Sequence, residues 1–319
     1  MRFLIPILAA FAVLLTPSIA AEGIVFDQAY RPGHTYHQTM TMKQEMQMDM
    51  GTVKMDRQMS TTMGMLAVVT RHEDGSSKRV AIKYDSIQAS IAGGGEKFTF
   101  DSKAPAEDAA KAGPLQAYGK IVGQEFKVIF DAKENVTDVE QLDATIQNLA
   151  GNDPASAQIY QQLFNREAVK RMMQQSALRS PVGSPVKKGG SWPFVQELDL
   201  PGLGKLTIRG FYTYKGDVEH QGVKCAEVKA SAEITMDTSR QEGAGDEAAQ
   251  RLQQMQLKIE EGRMDGTLFY DKAIDFTRQI DVAHQITLTG KIPDGSGKAL
   301  RLPMKQTISM KLDEFKATK

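Results

Sequence analysis

The sequence predicts a mainly β (α+β) protein with two similar halves of long, curved antiparallel sheet and a helical segment covering the concave face. Three observations predict this fold. Apolar and polar residues alternate with a period of two over long segments, turn residues such as Asp74-Gly75 separate these segments, and helical spacing dominates only between residues 139 and 180. Short turns favour antiparallel pairing, because parallel strands need long crossovers.

The alternation divides the chain into strands and three larger parts. We expect strands at 34–50, 53–71, 77–91, 97–101, 122–131, 190–200, 203–216, 219–237, 254–271, 274–290 and 299–314. The first β half would span 22–138, the helical segment 139–180 and the second β half 181–319. These strands would form one or two broad sheets.

The helical segment shows apolar residues three or four positions apart. A first helix would carry Val139, Leu142, Ile146 and Leu149. Asp153-Pro154 resembles a helix start, and the apolar stripe that follows consists of Ile159, Tyr160, Leu163 and Phe164. Asn165 would cap a third helix with Val169, Met172 and Met173. Each helix has one apolar side, so we expect them to cover the hollow of the sheet.

Residues 1–21 have the composition of a secretory signal peptide. Arg2 precedes an apolar run from Phe3 to Leu15, and small residues follow at Ser18 and Ala20. The apolar run is shorter than the roughly 20 residues that a membrane-spanning helix needs. We therefore expect export to the periplasm or the extracellular space, as a soluble chain that spans no membrane after cleavage.

Charge and motifs disfavour several function classes. Lys and Arg number 39 and Asp and Glu also 39, so the chain offers no basic field for nucleic acid. No HExxH, paired Cys/His or GxSxG motif is present, and we expect neither an enzyme nor a cofactor. The lone cysteine, Cys225, lies in an alternating segment and is expected to be a buried thiol.

The stretch TMTMKQEMQMDMG places five methionines on one parity. Met40, Met42, Met46, Met48 and Met50 occupy even positions, whereas polar residues occupy the odd ones. If the chain turns at Met50-Gly51, the next strand presents Val53, Met55, Met59, Met63 and Met65 on the same side. A two-residue turn would set Met46 opposite Met55 and Met42 opposite Met59. Both strands would then present one apolar thioether surface, interrupted where Gln44 and Arg57 lie opposite each other.

Three interpretations of this surface remain open. The methionines could pack beneath the helices as core, because methionine fills irregular gaps. They could instead form an adaptable wall for an apolar or lipid-like ligand; the residues of that hypothesis are Met42, Met46, Met48, Met55, Met59, Met63, Tyr36 and Trp192. Thioethers also bind Cu(I), for which His34, His37, Met40 and Met42 are the candidates.

A weak internal repeat accompanies the two halves. Tyr36 and Trp192 open them at matching places, where pinning of the sheet is favoured over ligand stacking. FDAKENVT at 130–137 matches YDKAIDFT at 270–277, so Asp131 and Asp271 are expected to form turns.

The chain resembles a family of bacterial exported proteins of unknown function. The resemblance rests on YRPGHTY, the helical middle, GGSW and FYDKA, and it covers most of residues 27–290. The architecture is also remotely similar to the half-barrels of periplasmic lipoprotein carriers, which hold acyl chains. The family of unknown function implies no catalytic residues, and architectural similarity alone does not assign a function.

The sequence therefore predicts a non-enzymatic exported binding or scaffold protein. Its expected partner is an apolar small molecule or lipid held in the sheet concavity. The alternatives are a Met/His-based Cu(I)-binding envelope protein and a purely structural module that binds an envelope protein.

Overall fold

The computed structural model describes residues 23–49, 54–105, 112–150, 166–181, 184–200, 204–238, 254–292 and 299–318. Twelve strands in these residues form one antiparallel sheet, which confirms the mainly β prediction. The strands are β1 (His34–Asp49), β2 (Lys54–Arg71), β3 (Lys78–Gly93), β4 (Glu96–Asp101), β5 (Glu125–Phe130), β6 (Val136–Glu140), β7 (Ser191–Leu200), β8 (Gly204–His220), β9 (Val223–Asp237), β10 (Lys258–Asp271), β11 (Phe276–Lys291) and β12 (Ala299–Ala317). The described helices are a 3-10 helix (Gly113–Lys120), α1 (Leu142–Ala150) and α2 (Arg166–Ser176).

The first and last strands of the chain pair at the centre of the sheet. The order is β6-β5-β3-β2-β1-β12-β11-β10-β9-β8-β7, and β4 pairs with β3. The β1–β12 ladder runs from His34–Ala317 to Asp49–Arg301. The two predicted halves therefore continue into a single sheet, while their relation as repeats stays a prediction.

Helix α2 contacts both edge strands of this sheet. The side-chain Oε1 of Gln174 accepts a hydrogen bond from the N–H of Val136 on β6, at 2.7 Å. The Oε1 of the next residue, Gln175, accepts one from the N–H of Glu197 on β7, at 3.0 Å. Edge strands leave backbone N–H groups unpaired, and these two glutamines satisfy one such group at each edge. The sheet must curl to bring both edges to one helix.

The described helices make most of their contacts with strands at and near the edges of the sheet. We expected them to cover the concave face. Helix α1 packs mainly against β5 and the 3-10 helix, and α2 packs mainly against β6 and β7. Met173 of α2 also packs against a buried cluster that reaches the central strands and includes Tyr36 on β1 and Leu312 on β12. The middle of the helical segment, residues 151–165, lies outside the described residues.

The start of the helical segment also differs from the prediction. Val139 belongs to strand β6 and not to a helix, although α1 follows closely. Gln141 has a φ of 64°, which separates the strand from the helix. A strand residue just before a helix happened to match helical spacing. The predicted helix after Asn165 is confirmed as α2, whereas the stripe from Ile159 to Phe164 lies outside the described residues, as does the predicted signal peptide at 1–21.

The two largest buried clusters of the described residues occupy one face of the sheet, which we call the inner face. The first cluster lies on β7–β10 and includes Trp192, Tyr212, Val228, Leu268 and Tyr270. The second lies on β1–β3, β5, β11 and β12 and includes Tyr36, Val69, Val80, Val128 and Leu312. The N-terminal segment 23–33 joins them, because Phe26 packs in the first cluster and Tyr30 against the second.

The matching segments around Asp131 and Asp271 form similar turns. Asp131 Oδ1 accepts backbone hydrogen bonds from Lys133 and Asn135, both at 2.8 Å. Asp271 Oδ1 accepts one from Ala273, also at 2.8 Å. The predicted turn role is therefore confirmed for both residues. Cys225 is buried, as its alternating segment predicts.

Candidate binding site on the inner face

The methionines of β1 and β2 share one face of the sheet, as predicted. Met40 pairs with Met63, and Gln44 pairs with Met59. Side chains of paired residues lie on the same side. This is the inner face, because Tyr36 and Val69 occupy the same parities on the two strands and belong to the second buried cluster.

The predicted register of these two strands was wrong by two residues. Gln44 lies opposite Met59, and Met46 lies opposite Arg57. Strand β1 ends at Asp49 and β2 begins at Lys54, so the connection between them has four residues instead of the predicted two. A shift of two residues keeps the same side chains on the same face, which is why the shared face was predicted correctly.

Strand β12 adds two methionines that the sequence analysis missed. Met310 lies beside Met40, and Met304 lies beside Met46. Between them Ile308 pairs with Met42. We call the set formed by these three strands the methionine face; its members are Met40, Met42, Met46, Met59, Met63, Met304, Ile308 and Met310.

Every member of the methionine face is half-buried. None belongs to a buried cluster of the described residues, and none is among the exposed large hydrophobic side chains. The side chains of Met48 and Met55 lie outside the description. The face is thus a partly buried apolar surface bordered by buried clusters, with Ala89 beside Thr61 and Leu302 two residues from Met304. About 20 Å of strand separates Met40 from Met46.

A polar row crosses the methionine face. Gln44 on β1 pairs with Gln306 on β12, and Gln306 pairs with His284 on β11. His284 Nδ1 lies 3.0 Å from Gln306 Oε1. The side-chain amide of Gln306 donates to the sulfur of Met42 at 3.2 Å, and that of Gln44 donates to the sulfur of Met304 at 2.7 Å.

Thr61 is a buried polar residue beside this row. It pairs with Met42 on β1 and is 1 % exposed. Its hydroxyl makes no hydrogen bond to any residue that the structure describes. A buried hydroxyl without a partner is uncommon in folded proteins and costs stability.

Tyr36 and Trp192 lie in the core and not on the methionine face. Tyr36 is fully buried, and its hydroxyl accepts a hydrogen bond from the N–H of Arg31 at 2.8 Å. Trp192 stacks on Phe26 with ring centroids 5.0 Å apart. Trp192 Nε1 donates to the carbonyl of Arg179 at 2.7 Å. These contacts agree with the pinning role, and we leave both residues out of the candidate site.

The four residues of the predicted copper site do not converge. His37 lies on the outer face, where its Nε2 is 2.9 Å from Asp85 Oδ2. His34 stacks on Phe315 with ring centroids 4.8 Å apart, and six residues, about 20 Å of strand, separate it from Met40. Within the described ranges no three His, Cys, Asp or Glu side chains group as metal ligands.

A buried ion pair with shifted pKa values lies away from the methionine face. Lys78 and Glu134 form an ion pair with side chains only 8 % and 17 % exposed. Burial lowers the pKa of Lys78 and raises the pKa of Glu134. Lys78 also donates to the carbonyl of Tyr30. The pair ties β3 to the β5–β6 turn and the N-terminal segment, which is a structural role.

A wide, open depression of about 670 Å³ lies on the outer face of β1 and β9–β12. Its polar groups already contact one another: Lys229 donates to Thr267 at 2.8 Å, and Ser309 donates to Asp281 at 2.6 Å. This arrangement is typical of a solvated outer face. We therefore place the candidate site on the methionine face.

A family of unknown function, DUF6263, matches residues 75–274, more than half of the sequence. The chain belongs to the DUF6263 family. This confirms the resemblance to a family without an assigned function. The DUF6263 match includes β3 to β10 but not β1, β2 or β12, so the methionine face lies outside the matched residues. No curated protein matches the sequence.

Several solved structures are remotely similar. A lipovitellin structure described by its lipid–protein interactions has a TM-score of 0.44 and 10 % identity, over 91 % of this chain and 26 % of the other. The translocator domain of the autotransporter NalP from Neisseria meningitidis has a TM-score of 0.22 and 8 % identity, over 90 % of each chain. A lipoprotein-sorting protein domain from Vibrio parahaemolyticus, described as putative, has a TM-score of 0.14 and 8 % identity, over 88 % of this chain and 85 % of the other.

These likenesses carry no argument about function, because all three TM-scores lie below 0.5. The chain spans about a quarter of the length of the lipovitellin chain. Separately, none of the helices in the described residues is long and apolar enough to cross a membrane.

Proposed function

We propose that this protein is an exported, non-enzymatic binding protein that holds an apolar, lipid-like ligand against the methionine face. One observation carries the proposal. Thioether side chains from three adjacent strands share one face, lie outside every buried cluster of the described residues, and are only partly buried. Contiguous exposed apolar surface is typical of interaction sites.

Methionine suits such a surface physically. Its unbranched, polarizable side chain adapts to ligands of irregular shape. The central position of β1, β2 and β12 keeps the face on hydrogen-bonded ladders, so the wall itself is rigid while its side chains adapt. The DUF6263 family adds no ligand or activity to this proposal.

Titration of the chain without residues 1–21 with N-phenyl-1-naphthylamine, a dye that fluoresces in apolar surroundings, tests the proposal. Met46→Glu would put a charge on the inner face, whereas Gln47→Glu would put the same charge on the exposed outer face of the same strand. We expect binding by the unmodified chain and by Gln47→Glu, and a loss of about tenfold or more in Met46→Glu. Equal affinities in all three, or no dye binding, would contradict the proposal.

Export is part of this proposal and rests on the predicted signal at residues 1–21. Mass spectrometry of the secreted chain should find an N-terminus at Ala21 or Glu22. Retention of residues 1–21 in the purified protein would argue against export by this signal.

Cu(I) binding is a second candidate function, favoured by one specific arrangement. Met63, Met40 and Met310 lie side by side on β2, β1 and β12. Neighbouring Cβ atoms in such a row are about 4.5 to 5.5 Å apart, so three thioethers could reach one soft metal ion. Competition for Cu(I) against bicinchoninate tests it: Met310→Leu should weaken binding, and no competition by the unmodified chain would remove this candidate.

A further inference from the structure

Two amide donors in the polar row on the methionine face form hydrogen bonds to weak acceptors. The amides of Gln44 and Gln306 donate to the sulfurs of Met304 and Met42. A thioether sulfur is a weak hydrogen-bond acceptor, whereas a carbonyl oxygen is a strong one. A ligand carbonyl that reached this row would therefore replace two weak bonds by stronger ones.

A second observation points to the same place. The Thr61 hydroxyl is buried without a partner, directly across from Met42, whose sulfur accepts from Gln306. A polar ligand atom there would remove part of the cost of that unpaired hydroxyl. Gln44 and Thr61 lie on adjacent strands, because Gln44 pairs with Met59, two residues from Thr61.

We propose that Gln44, Gln306 and Thr61 form a polar subsite for the carbonyl group of a neutral amphiphile, an acyl ester or amide, whose chain lies on the methionine face. The inference rests on the proposed function and names the class of ligand. Neutral carbonyl chemistry is favoured because the row offers uncharged amide donors. A carboxylate bound to the Gln44 and Gln306 amides would lose hydration without gaining a paired charge.

Arg57 would favour a different class of ligand, a fatty acid with a free carboxylate. It lies opposite Met46, is exposed, and shares the face of the methionines. A fatty acid carboxylate would be drawn to Arg57, and a neutral ester would not. The relative affinities for an ester and its free acid therefore distinguish the two ligand classes.

The experiment compares three probes on one pair of variants. Methyl dodecanoate, dodecanoate and dodecane each compete with bound N-phenyl-1-naphthylamine. The double variant Gln44→Met and Gln306→Met extends the thioether wall and removes both amides. Gln47→Met makes the same substitution on the exposed outer face of β1 and serves as the matched control.

We expect the unmodified chain and Gln47→Met to prefer methyl dodecanoate over dodecane. In the double variant the ratio of these affinities should fall by about threefold to tenfold, while dodecane affinity is retained. An unchanged ratio, or tighter binding of dodecanoate than of its ester, would overturn this inference and leave the proposed function standing. No binding of the dye or of any competitor would overturn both.

Discussion

Thr61 of β2 lies directly opposite Met42 of β1, and its buried hydroxyl has no hydrogen-bond partner among the described residues. Thr61→Val removes the hydroxyl and keeps a branched side chain of similar shape. We expect the free energy of unfolding of the ligand-free protein to rise by about 1 kcal/mol, because an unsatisfied group is removed. Urea denaturation monitored by circular dichroism measures it.

Thr41→Val is the matched control for that substitution. The Thr41 hydroxyl lies 3.3 Å from the Thr62 hydroxyl on the outer face, so its removal breaks a hydrogen bond. We expect no gain in stability from this change. A loss of stability in Thr61→Val equal to that in Thr41→Val would show that the Thr61 hydroxyl is paired.

Truncation of a methionine distinguishes an open wall from a core. Met63 is half-buried on the methionine face, whereas Ile82 is 2 % exposed in the second buried cluster. Met63→Ala should lower the free energy of unfolding by less than about 1.5 kcal/mol, since only part of its burial is lost. Ile82→Ala should cost about 2 to 5 kcal/mol. Equal losses in thermal or urea unfolding would mean that Met63 belongs to the core.

Helix α2 should protect one backbone amide at each edge of the sheet. Gln174→Leu removes the acceptor of the Val136 N–H, and Gln175→Leu removes that of the Glu197 N–H. Each loss should speed hydrogen exchange by about fivefold at its own amide. The two variants control each other: faster exchange at both amides in either variant would mean that the helix detaches as a whole.

The buried pair of Lys78 and Glu134 should show strong coupling. Glu134→Gln leaves the Lys78 ammonium in the interior without its counter-charge, so we expect a loss of about 3 kcal/mol in the free energy of unfolding. Adding Lys78→Met removes the stranded charge and should restore a large part of that loss. Additive losses in this double-mutant cycle, measured by urea denaturation, would contradict the pairing.

Most of the fold was predictable because alternation is local. Strand β1 was expected at 34–50 and spans His34–Asp49; β2 was expected at 53–71 and spans Lys54–Arg71. Val139 was misassigned because a strand residue and the helix after it combined into helical spacing. The contact of α2 with both edge strands depends on the curvature of the whole sheet. The periodicity of the sequence predicts individual strands and helices but not this curvature.

The candidate site was predictable only in part, for the same reason. The alternation predicted that Met40 and Met63 lie on one face. This prediction was correct despite a register error of two residues, because such a shift keeps each side chain on the same face. Met304, Gln306 and Met310 were missed because they reach β1 through a ladder between opposite ends of the chain. The alternation of β12 predicts a strand, but it does not indicate which strand β12 pairs with.

The most direct test of the account is an NMR titration. The chain without residues 1–21 is labelled with methyl-13C methionine, and methyl dodecanoate is added in steps. The methyl signals of Met40, Met42, Met46, Met59, Met63, Met304 and Met310 should shift together as ligand is added. Met172, which is 50 % exposed on α2, should stay unchanged. Unchanged signals from the methionine face at saturating ligand, or a shift at Met172 alone, would contradict the claim that this face binds apolar ligands.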